Sequence, residues 1–161
     1  MRKIILDILL LVMLAFIWGN SLLPGEQSGE MSDTVLETLN GIAARIGLPE
    51  DTFTYYCDTD GDGIPEPTGL LVRKLAHMTE FAVFGALVWL RLETRGRKRA
   101  LQAFLLSAAA AGADELIQRF SADRGSRLTD VLIDCFGAAL GLLLITGLSW
   151  LIRRRRVKSD T

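Results

Sequence analysis

Four long apolar runs divide this chain, at about residues 4–23, 70–92, 100–120 and 128–152. About twenty apolar residues in a helix cross a hydrocarbon core, so each run predicts a transmembrane helix. The first is interrupted only by Asp7 and is preceded by Arg2 and Lys3. That start resembles a signal peptide. The bulky stretch Ile17-Trp18-Gly19-Asn20 offers no small-x-small cleavage site, however, and the run reads as an uncleaved anchor.

Residues 24–69 are different. They hold ten acidic residues and one basic residue, Arg45, so they read as an aqueous loop. Within them Val35, Leu39, Ile42 and Ile46 recur at helical spacing, flanked by Leu36 and Ala43. The pattern predicts an amphipathic helix over about 31–46, capped by Ser32 or Asp33 and stopped at Pro49. Such a helix lies on the membrane surface or over the bundle. The expected architecture is all-α and a single domain over residues 1–161. It has four transmembrane helices, plus an amphipathic helix in the first extracytoplasmic loop.

Charge orients this bundle. The chain is half hydrophobic with a net charge of −1, and its mean hydropathy is +0.30. The small net charge hides a segregation along the chain. Arg2 and Lys3, the loop from Arg91 to Arg99, and the tail Arg153-Arg154-Arg155-Arg156 are basic. Basic residues in short loops stay in the cytoplasm, which puts both termini inside and residues 24–69 outside. The expected location is the bacterial cytoplasmic membrane, with the lipid bilayer as partner and no nucleic acid. Cys57 falls in a polar loop and Cys135 in an apolar run, so no bridge between them is expected.

This topology sorts the ionisable residues by depth. Lys74, His77 and Glu80 are spaced three apart in the outer half of the second run and share a face. Asp114, Glu115 and Gln118 end the third run, and Asp130 and Asp134 open the fourth. All lie in one outer-leaflet layer. A charge at the centre of a membrane helix costs roughly 2.5–3.5 kcal/mol on insertion scales, and it persists when paired or when lining a watery cavity. Arg73 and Arg127 can snorkel to water, whereas the shorter side chains of His77, Glu80, Asp114, Glu115 and Asp134 reach less far. The competing readings are a functional pocket and a structural pairing network. Gly137 and Gly141 form a GxxxG pair on the face of Asp130 and Asp134, and Ala108 with Gly112 gives a second small-residue pair. Such pairs let helices approach closely, within the chain or in a homo-oligomer through Gly137 and Gly141.

These residues, in this order, resemble the VanZ-like family of bacterial integral membrane proteins. The resemblance covers most of the chain. It rests on Ser21-Leu22-Leu23-Pro24-Gly25-Glu26-Gln27-Ser28, on Lys74-Leu75-Ala76-His77 with Glu80, Phe81 and Gly85, and on Asp114-Glu115 through Gln118, Phe120 and Arg124 to Asp130, Gly137 and Gly141. Asp134 stands where the family usually has Asn, Phe81 where Tyr is common, and Ala122-Asp123 where Pro-Gly precedes the arginine. Residues 55–67 look like added material. The resemblance implies a role in the cell envelope. The family takes its name from a protein linked to resistance to the glycopeptide teicoplanin. It supplies no reaction.

That added stretch carries its own motif. Asp58-Thr59-Asp60-Gly61-Asp62-Gly63 matches a D-x-D-x-D-G calcium loop, with Glu66 at the ninth position. The twelfth position is Gly69, so it is no EF-hand and is closer to short extracellular calcium repeats. A solvated acidic turn is the competing reading.

Three functions remain open from sequence. A binding protein would take a lipid-linked envelope precursor, an envelope glycan or a glycopeptide, using Ser21, Lys74, Gln118, Arg124, Asp130 and Asp134. Arginine suits a phosphate, but the many carboxylates would need neutralising. A hydrolase or transferase would use His77, the only histidine, with Glu80, Asp114 or Glu115 tuning it. No HExxH or nucleophile-elbow motif supports that. A transporter or proton-coupled protein would need polar residues in the inner halves of the helices, where they are scarce.

Overall fold

The computed structural model describes residues 1–57, 64–121 and 127–159, of which the side chains of Glu66 and residues 156–159 are not described. It is helical: α1 Arg2–Leu22, α2 Gly25–Arg45, α3 Leu70–Arg91, α4 Gly96–Gln118 and α5 Leu128–Ser159. A short antiparallel pair, β1 Tyr55–Cys57 and β2 Glu66–Thr68, sits before α3 with Cys57 opposite Glu66. The hydropathy pattern did not predict this pair. No disulfide joins Cys57 and Cys135.

Among the described residues three helical segments are long and apolar enough to cross a membrane: Arg2–Leu22, Gly96–Gln118 and Leu128–Arg155. The 22-residue α3 falls outside that set because Arg73, Lys74, His77 and Glu80 occupy its first half. The outside of the bundle is apolar. Ile8, Leu11, Leu105 and Leu144 are all exposed. In water so large an apolar surface would mark an interaction face, and here it matches a hydrocarbon surround.

α3 is the central element and packs on α1, α2, α4 and α5. Its closest neighbour is α5, for a reason visible in two residues. A Cβ at Gly137 would collide with the Met78 carbonyl, and one at Gly141 with that of Ala82. Reciprocally, a Cβ on Gly85 of α3 would lie 3.2 Å from the Ala138 carbonyl. The GxxxG pair is thus spent on α3 of the same chain. Ala103, Ala110 and Ala111 play the matching part on α4, and with Ile17, Phe81 and Phe84 they form the buried core. Phe81 and Phe84 meet edge to face at 6.4 Å.

Two details of α2 depart from expectation. It starts at Gly25 rather than near residue 31, with neither Ser32 nor Asp33 as cap. Pro24 takes the N-cap position, Glu26 the first turn, and Leu23 before the proline is extended. It stops before Pro49. Gly47, at φ 84°, closes it through bonds from Gly47 N to Ala44 O and from Leu48 N to Ala43 O, a glycine stop of the Schellman type. Asp33 does not cap α2 but reaches the start of α3, where its Oδ1 accepts from Gly69 N at 2.7 Å.

At the opposite end of the bundle, Asp7 accepts from Arg91 at 2.6 and 3.2 Å, which accounts for the acid inside the first apolar run. Arg99 donates to the Trp89 and Leu90 carbonyls at 2.5 and 3.0 Å and stacks 4.0 Å from the Trp89 ring centre. It satisfies the carbonyls left open at the end of α3. The Lys3 ammonium bonds to Glu93 and holds that carboxyl below its ordinary value.

If the α3–α5 contact organises the bundle, Gly137→Ala or Gly141→Ala will cost about 1–3 kcal/mol through overpacking. Gly147→Ala, with nothing within 4 Å of its added methyl, will leave stability nearly unchanged. Thermal unfolding in detergent checks the contrast.

Candidate functional site

The ends of four helices meet at one level. α1 ends with Asn20 and Ser21, and α4 ends with Asp114, Glu115 and Gln118. α3 opens with Arg73, Lys74, His77 and Glu80, and α5 opens with Asp130 and Asp134. Helical spacing turns His77 and Glu80 to the same side. The tight α3–α5 crossing, one residue after His77 and three after Asp134, brings those two side chains inward together.

Burial there is unusually polar. Ser21 and Asp114 are fully buried, and Glu115, Gln118 and Asp134 are at most 9% exposed. Gln118 joins α4 to α1, its Nε2 donating to Ser21 Oγ at 3.2 Å and to Asp114 Oδ2 at 2.8 Å. Asn20 Nδ2 donates to Glu80 Oε1 at 3.4 Å, and Glu80 Oε2 lies 3.7 Å from His77 Nδ1. The Arg127 backbone N–H donates to Glu115 Oε1. One donor atom each from His77, Asp114 and Asp134 lie within 4.8 Å of one another, across three helices.

Other residues singled out from sequence lie at the margin or beyond view. Lys74 pairs with Asp130 at 3.2 Å, both about one-third exposed on the rim. Arg124, Asp58, Asp60 and Asp62 lie outside the described residues, as does the side chain of Glu66. The expected calcium loop therefore has no structural counterpart to describe.

The structure adds Asn20, Ser32 and Arg73, which the sequence reading left out of the site. A cavity of about 180 Å³ between α1, α2 and α3 is lined by Asn20, Ser28, Ser32, Arg73, His77 and Glu80. Asn20 beside Ser21 at the end of an apolar run was a signal. So was the i, i+4 spacing of Ser28 and Ser32, once a helix is known to start at Gly25. A second, open groove of about 410 Å³ is lined by Met13, Val72, Leu75, Ala76, Val83 and Glu80, among others. The two cavities share Val72, Ala76 and Glu80.

An apolar shell around buried ionisable groups is the arrangement of a small multi-helix membrane protein, and the helices suited to spanning fit that class. Within it, the sequence model of the VanZ/LLP1 family matches residues 7–152, and the chain belongs to that family. No curated protein and no solved structure matches the chain.

The buried bonds should matter more than the rim pair. Gln118→Leu removes the donor to Asp114 and Ser21 and is expected to cost about 1–3 kcal/mol. Lys74→Ala breaks a part-exposed pair, expected to be worth about 1 kcal/mol or less. Denaturant unfolding of the two variants in one detergent compares them.

Proposed function

We propose that this VanZ/LLP1 protein spans the bacterial cytoplasmic membrane four times and holds, in its outer leaflet, the head of a lipid-linked envelope precursor. The observation that carries this reading is the junction of the two cavities. A groove with apolar walls runs between α1 and α3 and meets, at Val72, Ala76 and Glu80, a cavity lined by Arg73, His77, Ser28 and Ser32. An amphiphile has that form: an apolar chain for the groove and a polar, anionic head for the cavity. A soluble glycan would have no use for the groove.

The fourth crossing is α3. Its 22 residues extend about 33 Å at 1.5 Å each, enough for the hydrocarbon core. Its polar side chains Arg73, Lys74, His77 and Glu80 are partly buried against the rest of the protein rather than fully exposed. α2 buries Leu36 and Ala43 and leaves Met31, Val35 and Ile42 exposed, which suits an amphipathic helix resting on the outer membrane surface. The basic loop and tail set the inside.

A hydrolase or transferase is the second reading, favoured by the 3.7 Å approach of Glu80 to His77, the pairing of an orienting carboxylate with an acid–base group.

Two measurements test these statements. With single cysteines in a Cys-free background, Glu50→Cys should react with an impermeant thiol reagent on intact cells, and Lys98→Cys only after permeabilisation. The reverse pattern overturns the topology. Ala76→Trp fills the cavity junction. Mass spectrometry of protein purified with envelope lipids should find a polyprenyl- or glyco-lipid retained by the wild type and reduced at least tenfold in Ala76→Trp. Equal retention contradicts the binding site. A chemically altered lipid, lost in His77→Ala, would establish the enzyme reading.

A further inference from the structure

We propose that His77, Asp114 and Asp134 bind a divalent first-row cation, of the Mn²⁺ or Zn²⁺ type, between α3, α4 and α5. This goes beyond the lipid-binding reading and does not depend on it. The first observation is geometric. One donor atom from each of the three residues already lies within 4.8 Å of the other two. Donors at about 2.0–2.2 Å from a common ion stand roughly 3–4 Å apart, so side-chain rotations of under an ångström per donor close the set.

The second observation is a buried carboxylate with no salt bridge among the described residues. Asp134 is 3% exposed and has no hydrogen bond or ion pair among the described residues. It faces the carboxylates of Asp114, Asp130, Glu115 and Glu80. Glu115 Oε2 is likewise buried without a hydrogen-bond partner among the described residues. Among the described residues Asp130 pairs with Lys74, and that pair is on the rim. Crowding negative groups out of water is costly unless positive charge joins them. A doubly charged ion at the point where three helices converge supplies that charge.

The donor set selects the ion. One imidazole with two carboxylates suits Mn²⁺, Fe²⁺ or Zn²⁺, whereas Mg²⁺ and Ca²⁺ prefer oxygen alone. Metal-bound histidines are usually held by a neighbouring carboxylate, and Glu80, 3.7 Å from His77 Nδ1, stands in that relation. The proposed site shares no residue with the Asp58–Asp62 motif, whose oxygen-only donors suit calcium. It also lifts the objection that so many carboxylates would repel an anionic head group, because a three-ligand ion keeps positions open to a phosphate.

The test uses full-length protein in nanodiscs, stripped with chelator and dialysed against Mn²⁺ or Zn²⁺. Elemental analysis should find about one ion per chain, and thermal unfolding should shift upward with the ion. Asp134→Asn should lower affinity at least 100-fold and abolish the shift. It should leave the metal-free protein as stable as wild type or more so, because it removes a like charge. Glu80→Gln should weaken binding about 10–100-fold, as expected for a group that orients a ligand. A variant with Asp58, Asp60 and Asp62 all changed to Asn should bind as wild type does. The proposal is overturned if folded wild-type protein takes up no stoichiometric ion. It is equally overturned if Asp134→Asn keeps the ion or if the triple loop variant loses it.

Discussion

The near-contact of α3 and α5 backbones at Gly137 and Gly141 is the constraint on which the rest of the structure depends. Two residues without side chains let α5 approach until its Cα atoms face the carbonyls of Met78 and Ala82. That approach fixes rotation as well as distance. With those faces in register, His77 and Asp134 must turn toward the bundle axis, where α4 delivers Asp114 and Glu115. The alanines of α4 are buried in the same core. Packing by small residues and burial of large polar ones are therefore one feature of the fold.

The polar layer carries a cost that a merely structural role does not explain. Structural networks in membranes pair their members, as Asp7 and Arg91 do at the opposite end of the bundle. The buried layer concentrates carboxylates: Asp114 and Glu115 accept from Gln118 and from the Arg127 N–H, whereas Asp134 has no hydrogen bond among the described residues. An ion among the carboxylates and a lipid head beside His77 are two readings of this imbalance. They are compatible, since the cavity at Arg73 and the cluster at Asp134 have only His77 in common.

Much of this was legible in the sequence because membranes make sequence patterns coarse. Apolar runs of about twenty residues placed α1, α4 and the start of α5 within a few positions, though α5 runs on to Ser159 through its basic tail, and the spacing of Lys74, His77 and Glu80 placed them on one face. The rest turned on local chemistry or on distance. Periodicity could not show that α2 begins at Gly25, because its first turn is polar and its start is set by Pro24. Nor could it show that Gly47, rather than Pro49, ends the helix through a left-handed backbone. Asp7 looked like an interruption until Arg91, 84 residues away, accounted for it. Ser32 joined the cavity only through the packing of α2 against α3, which no single stretch of sequence encodes.

The central claim is that three helices bring one histidine and two aspartates together inside the membrane. The chain has a single histidine, so its ring nitrogens give an unambiguous signal. Solid-state NMR of the protein in bilayers, with labelled imidazole and labelled carboxyl carbons, measures the distances directly. Through-space contacts from His77 to the carboxyl carbons of both Asp114 and Asp134 are the predicted result. Contacts to Glu80 alone, its neighbour on α3, would contradict it.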